Sequence, residues 1–296
     1  MHYLVTGGTG YLGRELCSEL VRRGQVTVLT RSRKKAGKML RPEVGAVESL
    51  EELDGLTPDA VINLAGENLA SGRWSAARKL ELRRSRVSGT RELVNWFKRL
   101  KEKPKVLVSA SAIGWYGARG EEELREDSAP GREFQAELCQ AWEKAAQRAE
   151  EFGVRVCCLR IGIVLGRVGG AMAKMLPVFS AGLGGPSGDG TQWMSWIHRD
   201  DLISMILWML ARQSASGIYN ATAPEPVRNA DFARTLGAVM HRPARVRYSA
   251  PLLRLMYGEG AHLLLTGQKV LPARMQEAGF VFRHPELRGA FQHLLS

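Results

Sequence analysis

Over the first 165 residues, short apolar runs alternate with longer stretches whose apolar positions recur at helical spacing. The runs Tyr3–Thr6, Val26–Thr30, Ala60–Leu64, Val106–Ser109 and Arg155–Leu159 predict strands. The amphipathic stretches Tyr11–Arg23, Ala76–Arg99 and Gln135–Phe152 predict helices. This strand–helix rhythm predicts an α/β fold, with a doubly wound parallel sheet of the Rossmann type covered by helices on both faces. From about Gly166 the pattern changes. Gly and Pro become frequent in GLGGPSGDG, residues 182–190, which predicts a loop. A helix around Leu202–Ala211, a strand at Ile218–Asn220 and mainly helical sequence follow. The expected division is a nucleotide-binding domain over 1–165 and a smaller, mainly helical C-terminal substrate lobe over 166–296, with about 217–221 returning to the sheet.

The first loop gives this division a chemical meaning. Residues 3–13 read YLVTGGTGYLG, and Gly8, Gly10 and Gly13 fit G-x-G-x-x-G. The fit comes directly after a strand and at the start of a helix, which is the context the motif requires. Glycines there allow a tight turn, close approach of the backbone to a pyrophosphate, and close packing of helix on strand. The helix N-terminus adds a positive dipole end. Gly7, Thr9, Gly10, Tyr11, Leu12 and Gly13 are therefore candidate cofactor contacts. The second strand ends at Thr30-Arg31-Ser32. A carboxylate there would accept hydrogen bonds from a ribose 2′-hydroxyl. Arg31 favours a 2′-phosphate instead, so the expected cofactor is NADP. The third strand runs into Leu64-Ala65-Gly66, small residues suited to the adenosine half. Arg86 on the following helix is placed to reach back to a phosphate.

Composition excludes little. Lys and Arg number 42 against 30 Asp and Glu, a net charge of +12. The cations are interleaved with Glu, and no aromatic-and-basic RNA or DNA motif accompanies them, so no nucleic-acid partner is expected. A filter-binding assay with salt-steep affinity would reveal one. Cys17, Cys139, Cys157 and Cys158 show neither metal spacing nor a disulfide framework; they are expected to be reduced and buried, and no metal is expected. No apolar run approaches 18 residues and no signal peptide is visible, so a cytoplasmic protein without membrane partner is expected.

VTGGTGYLG, NLAG, SASAIGWYG and WIHRDDL stand in the order found in extended and atypical short-chain dehydrogenases, which include the sugar-nucleotide epimerases. MLPVFSAGLGGPSGDGTQWMSWIH and GQKVLPARMQEAGFVF resemble a bacterial and mitochondrial branch called epimerase-like, across nearly the whole chain. The resemblance implies a Rossmann-type domain, NADP, and cofactor contacts at the 7–13 loop, Thr30 and Arg31, Leu64 and Ala65, Glu81 and Arg86, and Val164. It also implies a C-terminal module of unknown role. By analogy within the superfamily it admits a homodimer.

Active members of that superfamily use a Ser at the end of the fourth of these strands, a Tyr that moves the proton, and a Lys four residues later that lowers the Tyr pKa. Ser109 and Ser111 are available for the first role. The Tyr place falls at Phe134 or Gln135 and the Lys place at Leu138 or Cys139. No Tyr in the chain is followed by Lys at the fourth position. Tyr116, near the expected substrate position and helped by a cation such as Arg160, is one substitute. Glu133, Glu137 and His198 are others, each with a structural alternative; Cys139 lacks a visible base. Trp193, Met194 and Trp196 are expected to face a ligand. Ser111 and Tyr116 are the candidate catalytic residues. Two readings follow: an NADP-dependent oxidoreductase or epimerase on a small hydroxylated or carbonyl substrate, with an unusual acid/base; or an NADP(H)-binding sensor or scaffold without chemistry.

Overall fold

The computed structural model describes residues 1–53, 55–69 and 71–296. Seven strands form one parallel sheet: β1 (His2–Thr6), β2 (Gln25–Leu29), β3 (Val44–Val47), β4 (Ala60–Asn63), β5 (Val106–Ala112), β6 (Arg155–Ile161) and β7 (Gly217–Ala221). Their spatial order is β7-β6-β5-β4-β1-β2-β3. The order reverses between β1 and β4, and a crevice opens at the carboxyl ends where it does.

Neighbouring strand residues serve opposite cores, as the period of two requires. Tyr3 and Val5 join Leu16 and Leu20 of the Tyr11–Val21 helix and Met205 and Met209 of the Arg199–Ala211 helix. Leu4 joins Leu93, Trp96 and Phe97 on the other face. Cys157 and Cys158 divide in the same way. Each wholly buried Leu or Val side chain contributes about 1.5–3 kcal/mol by leaving water. That burial, more than helix propensity, holds the layers.

Two elements differ from expectation. The predicted helix 76–99 is broken into Ala76–Arg83, a π-helical turn at Arg84–Ser88, Gly89–Trp96 and a final 3-10 turn. The wider turn contains both Ser85 and Arg86, which it brings beside the Gly66–Glu67 segment. The helix Arg33–Met39 and strand β3 extend the sheet beyond the predicted set.

The C-terminal region is interleaved with the sheet. Trp196–His198 pairs in parallel with Ile163–Leu165, and Lys269–Val270 with Glu123–Leu124. β7 returns to the sheet edge beside β6, in the register Gly217↔Cys157 to Ala221↔Ile161. Around Phe232, Phe291 and Trp196 the lobe has its own apolar cluster.

Candidate functional site

The loop after β1 is built on glycine for identifiable reasons. Gly7 has φ +72°, and a Cβ there would stand 2.7 Å from the Leu64 carbonyl carbon. A Cβ on Gly13 would stand 2.3 Å from the Gly7 oxygen. The helix that follows has no acidic residue in its first turn and no side-chain cap on Gly10, so its first amides face the crevice without a competing carboxylate. Beneath this floor lies a buried hydroxyl–amide chain. Thr6 Oγ1 donates to Asn63 Oδ1 at 2.7 Å, and Asn63 Nδ2 donates to Thr90 Oγ1 at 2.8 Å and Ser109 Oγ at 3.1 Å. It ties β1, β4 and β5 together, and Ser109 serves it without touching the crevice.

The crevice encloses about 1040 Å³. Gly7, Thr9, Gly10, Thr30, Arg31, Leu64, Ala65, Gly66 and Glu81 line it. Arg31 is fully extended into solvent, with a 93% exposed side chain and one ion-pair partner, Glu67, at 2.8 Å. Ser32 instead caps the helix Arg33–Met39, accepting from the Lys35 amide at 3.2 Å. Tyr11 packs across the 166–170 glycines: a Cβ on Gly166 would fall 1.3 Å from its hydroxyl. Leu12 and Val164 pack against the sheet core as partly buried side chains.

Arg86 is the buried cation nearest the Gly66–Glu67 segment. Its side chain is 8% exposed and lies over the Trp142 ring at 5.2 Å. Nη2 donates to the Glu67 carbonyl at 2.8 Å, while Nη1 is buried without a partner. Burial holds its pKa below the usual guanidinium value. An incompletely satisfied buried cation is costly unless an anion completes it. The glycine cradle, the free helix amides and Arg86 together fit a dinucleotide pyrophosphate.

The two candidate catalytic residues lie elsewhere. Ser111 Oγ donates to Glu143 Oε1 at 2.6 Å, and Arg160 clamps that carboxylate at 2.9 and 3.0 Å. Arg160 also donates to Tyr116 at 3.0 Å, and Tyr116 donates to Asn220 Oδ1 at 2.6 Å. Tyr116 is wholly buried, which pushes its phenol up to about 12 despite Arg160. Ser111 is 3% exposed. Both belong to a sealed polar network joining β5, β6, β7 and the Phe134–Gln147 helix, a placement that runs against direct proton transfer to substrate. Burial likewise pushes the Cys139 thiol up to about 12, far from a thiolate nucleophile. Trp196 is buried in the small-lobe core, and Trp193 lies between Arg228 at 3.9 Å and Lys269 at 5.0 Å. Neither lines the two cavities described here.

Where the Tyr would stand, a second cavity of about 560 Å³ opens between the Phe134–Gln147 helix and the C-terminal module. Trp74, Glu133, Phe134, Gln135, Arg254, His262 and Leu265 are among its lining residues. Glu133 is already committed: its carboxylate accepts from the Ala118 and Arg132 amides at 3.2 and 3.1 Å. Burial would raise its pKa, but these amides and His262 hold it below the ordinary value. His262 is different, because its Nε2 is buried and has no partner among the described residues. Sequence pattern gave no reason to join residue 262 to residue 133; the pairing exists only in the fold.

His198, Asp200, His284 and His293 also converge, with one potential metal-ligand atom each inside 4.8 Å. The protons argue for another reading. His198 Nδ1 accepts from the Asp200 amide at 3.0 Å, so its proton is on Nε2, which lies 3.2 Å from His293 Nδ1. Binding a metal through Nε2 while Nδ1 accepts would demand an imidazolate; metal-bound histidines donate from the second nitrogen. The cluster is a capped, stacked imidazole chain.

A model of the NAD dependent epimerase/dehydratase family matches residues 3–222. The chain belongs to that family. A domain of unknown function, DUF1731, matches residues 249–294 of this epimerase-family protein. The chain is 40% identical to the chloroplastic epimerase family protein SDR39U1 homolog of Arabidopsis thaliana, over 98% of this chain and 86% of that one. It is 36% identical to the epimerase family protein YfhF of Bacillus subtilis, over 100% and 98%. The human epimerase family protein SDR39U1, solved with NADPH, superposes with a TM-score of 0.89 at 34% identity, covering 99% of each chain. A UDP-glucose 4-epimerase of Thermotoga maritima shares the fold at 18% identity, with a TM-score of 0.82 over 99% of this chain and 97% of that one.

Proposed function

We propose that this epimerase-family protein is an NADP(H)-dependent oxidoreductase or epimerase-like enzyme for a small hydroxyl or carbonyl substrate. In this reading His262 replaces the usual Tyr as the group that moves the proton. The observation that carries it is His262, a lining residue of the second cavity whose Nε2 has no hydrogen-bond partner among the described residues. An imidazole carries one donor and one acceptor nitrogen, so it can give or take a proton without the Lys that a phenol needs. Arg31 supports NADP over NAD, and the relative solved with NADPH supports the same choice. Arg86 and the Gly7–Gly13 loop hold the phosphates, and Trp74, Phe134 and Gln135 wall the reacting side from water. Bound there, the cofactor supplies hydride transfer at its nicotinamide.

The test is stereospecific deuterium transfer from C4-labelled NADPH across a broad carbonyl panel, with His262→Gln in parallel. Transfer that is lost in the variant while NADPH affinity holds supports the proposal. Tight NADPH binding with no transfer to any compound overturns it in favour of the second reading, a sensor or scaffold. The absence of Tyr at Phe134 or Gln135, and of Lys at Leu138 or Cys139, favours that second reading.

A further inference from the structure

We infer that the second cavity selects an anionic substrate, a carboxylate or phosphate ester carried on an apolar or aromatic body. This rests on the proposed enzymatic reading of that cavity. The charge inventory around it is lopsided once internal pairs are removed. Glu259 is paired with Lys79, whereas Glu133 keeps its negative charge while accepting from two neutral backbone amides. Among the described residues the Arg254 guanidinium, on the cavity wall, has no ion pair or side-chain hydrogen bond. Arg73 stands just behind the wall: its Nε would lie 3.3 Å from a Cβ on Gly258. It too has no carboxylate partner among the described residues. Two guanidinium groups thus stand against the single Glu133 carboxylate, a net positive charge beside the His262 imidazole.

The remaining wall is apolar and flat. Trp74 and Phe134 meet edge to face with ring centroids 5.5 Å apart, and Leu265 closes the far side. A few convergent polar groups on an apolar wall are what a small-molecule site requires. A guanidinium binds a carboxylate or phosphate through two parallel N–H bonds, which fixes orientation as well as charge. Arg254 thus anchors the anion and the rings hold the body. The C-terminal module supplies both Arg254 and His262, which gives that module a role: it completes the site.

Isosteric probes separate charge from shape. Titrate the NADP-loaded protein with 4-hydroxybenzoate and with 4-hydroxybenzamide by calorimetry. The expected result is at least tenfold tighter binding of the carboxylate, with the difference lost in Arg254→Met and largely restored in Arg254→Lys. Equal binding of the two probes, preference for the amide, no binding of either, or a preference unchanged in Arg254→Met would each overturn the inference. NADPH affinity and deuterium transfer are read on the same protein. Charge selection without transfer defeats only the enzymatic reading; transfer without charge selection defeats only this one.

Discussion

A methyl group on Gly13 has nowhere to go, since it would meet the Gly7 oxygen at 2.3 Å and Gly8 Cα at 2.7 Å. On Gly10 it meets only the Gly7 oxygen, at 3.1 Å. The two glycines of one motif should therefore fail differently. Gly13→Ala is expected to cost about 1–3 kcal/mol of stability through overpacking, read as a fall in the urea midpoint. Gly10→Val is expected to leave that midpoint nearly unchanged and to weaken NADPH binding by about 100-fold or more, roughly 2.8 kcal/mol. Arg31→Asp should invert cofactor preference from NADPH to NADH without loss of stability, because the side chain is 93% exposed. Equal weakening of both cofactors in a fluorescence titration would remove Arg31 from the 2′-phosphate role. These positions were legible in the sequence because a phosphate loop depends on residues close together along the chain. Arg86 was legible only as a surface arginine or a phosphate ligand; its burial removes the surface reading.

The elements around the site are held by groups the sequence presented as chemistry. Glu143 on the Phe134–Gln147 helix and Arg160 on β6 are 3% and 2% exposed and form two hydrogen bonds. Glu143→Gln would leave a buried guanidinium without its counter-charge, at an expected cost of about 3–5 kcal/mol. Removing both charges together, Glu143→Met with Arg160→Met, should cost clearly less, and a denaturation series over the unaltered protein and these two variants checks it. His198 caps the Arg199–Ala211 helix through Nδ1. Burial, with His284 adding to it, depresses its pKa from 6.5 to about 4. The unfolded chain thus binds a proton that the folded chain refuses, and stability falls as pH drops from about 6.5 toward 4, by roughly 2–4 kcal/mol. His198→Asn keeps a capping oxygen and should flatten that fall when unfolding is followed across pH. A helix pattern of 3.6 residues predicted where these helices run. It could not predict the π-helical turn at Arg84–Ser88, whose cause lies in what the turn must face.

At the scale of the whole molecule, five of the seven sheet strands were predicted from the early part of the chain and a sixth, β7, from its return at Ile218–Asn220. β3 was missed because VGAV is short and half-exposed, with little apolar signal. The second cavity was missed altogether, because its walls are separated by more than a hundred residues and meet only in three dimensions. A fragment ending at residue 222 contains the stretch that matches the epimerase family and the whole sheet, yet it should not fold stably. Asn220 Nδ2 donates to the Leu271 carbonyl at 2.9 Å, the Val270 amide to Ser195 Oγ at 2.9 Å, and the Arg283 and His284 amides to Asp201 at 2.8 and 3.0 Å. Soluble expression with native near-ultraviolet dichroism for residues 1–222 would refute that expectation. The return of β7 also sets the timing of synthesis. At about 5–20 residues per second, the ribosome releases β6 several seconds before residues 217–221 can pair with it. Through that interval the newborn chain carries an unpaired, apolar strand edge, the kind that invites a neighbouring chain to add to it. The same strand that completes the sheet makes the stretch of translation between residues 161 and 221 the period when this protein most needs a chaperone.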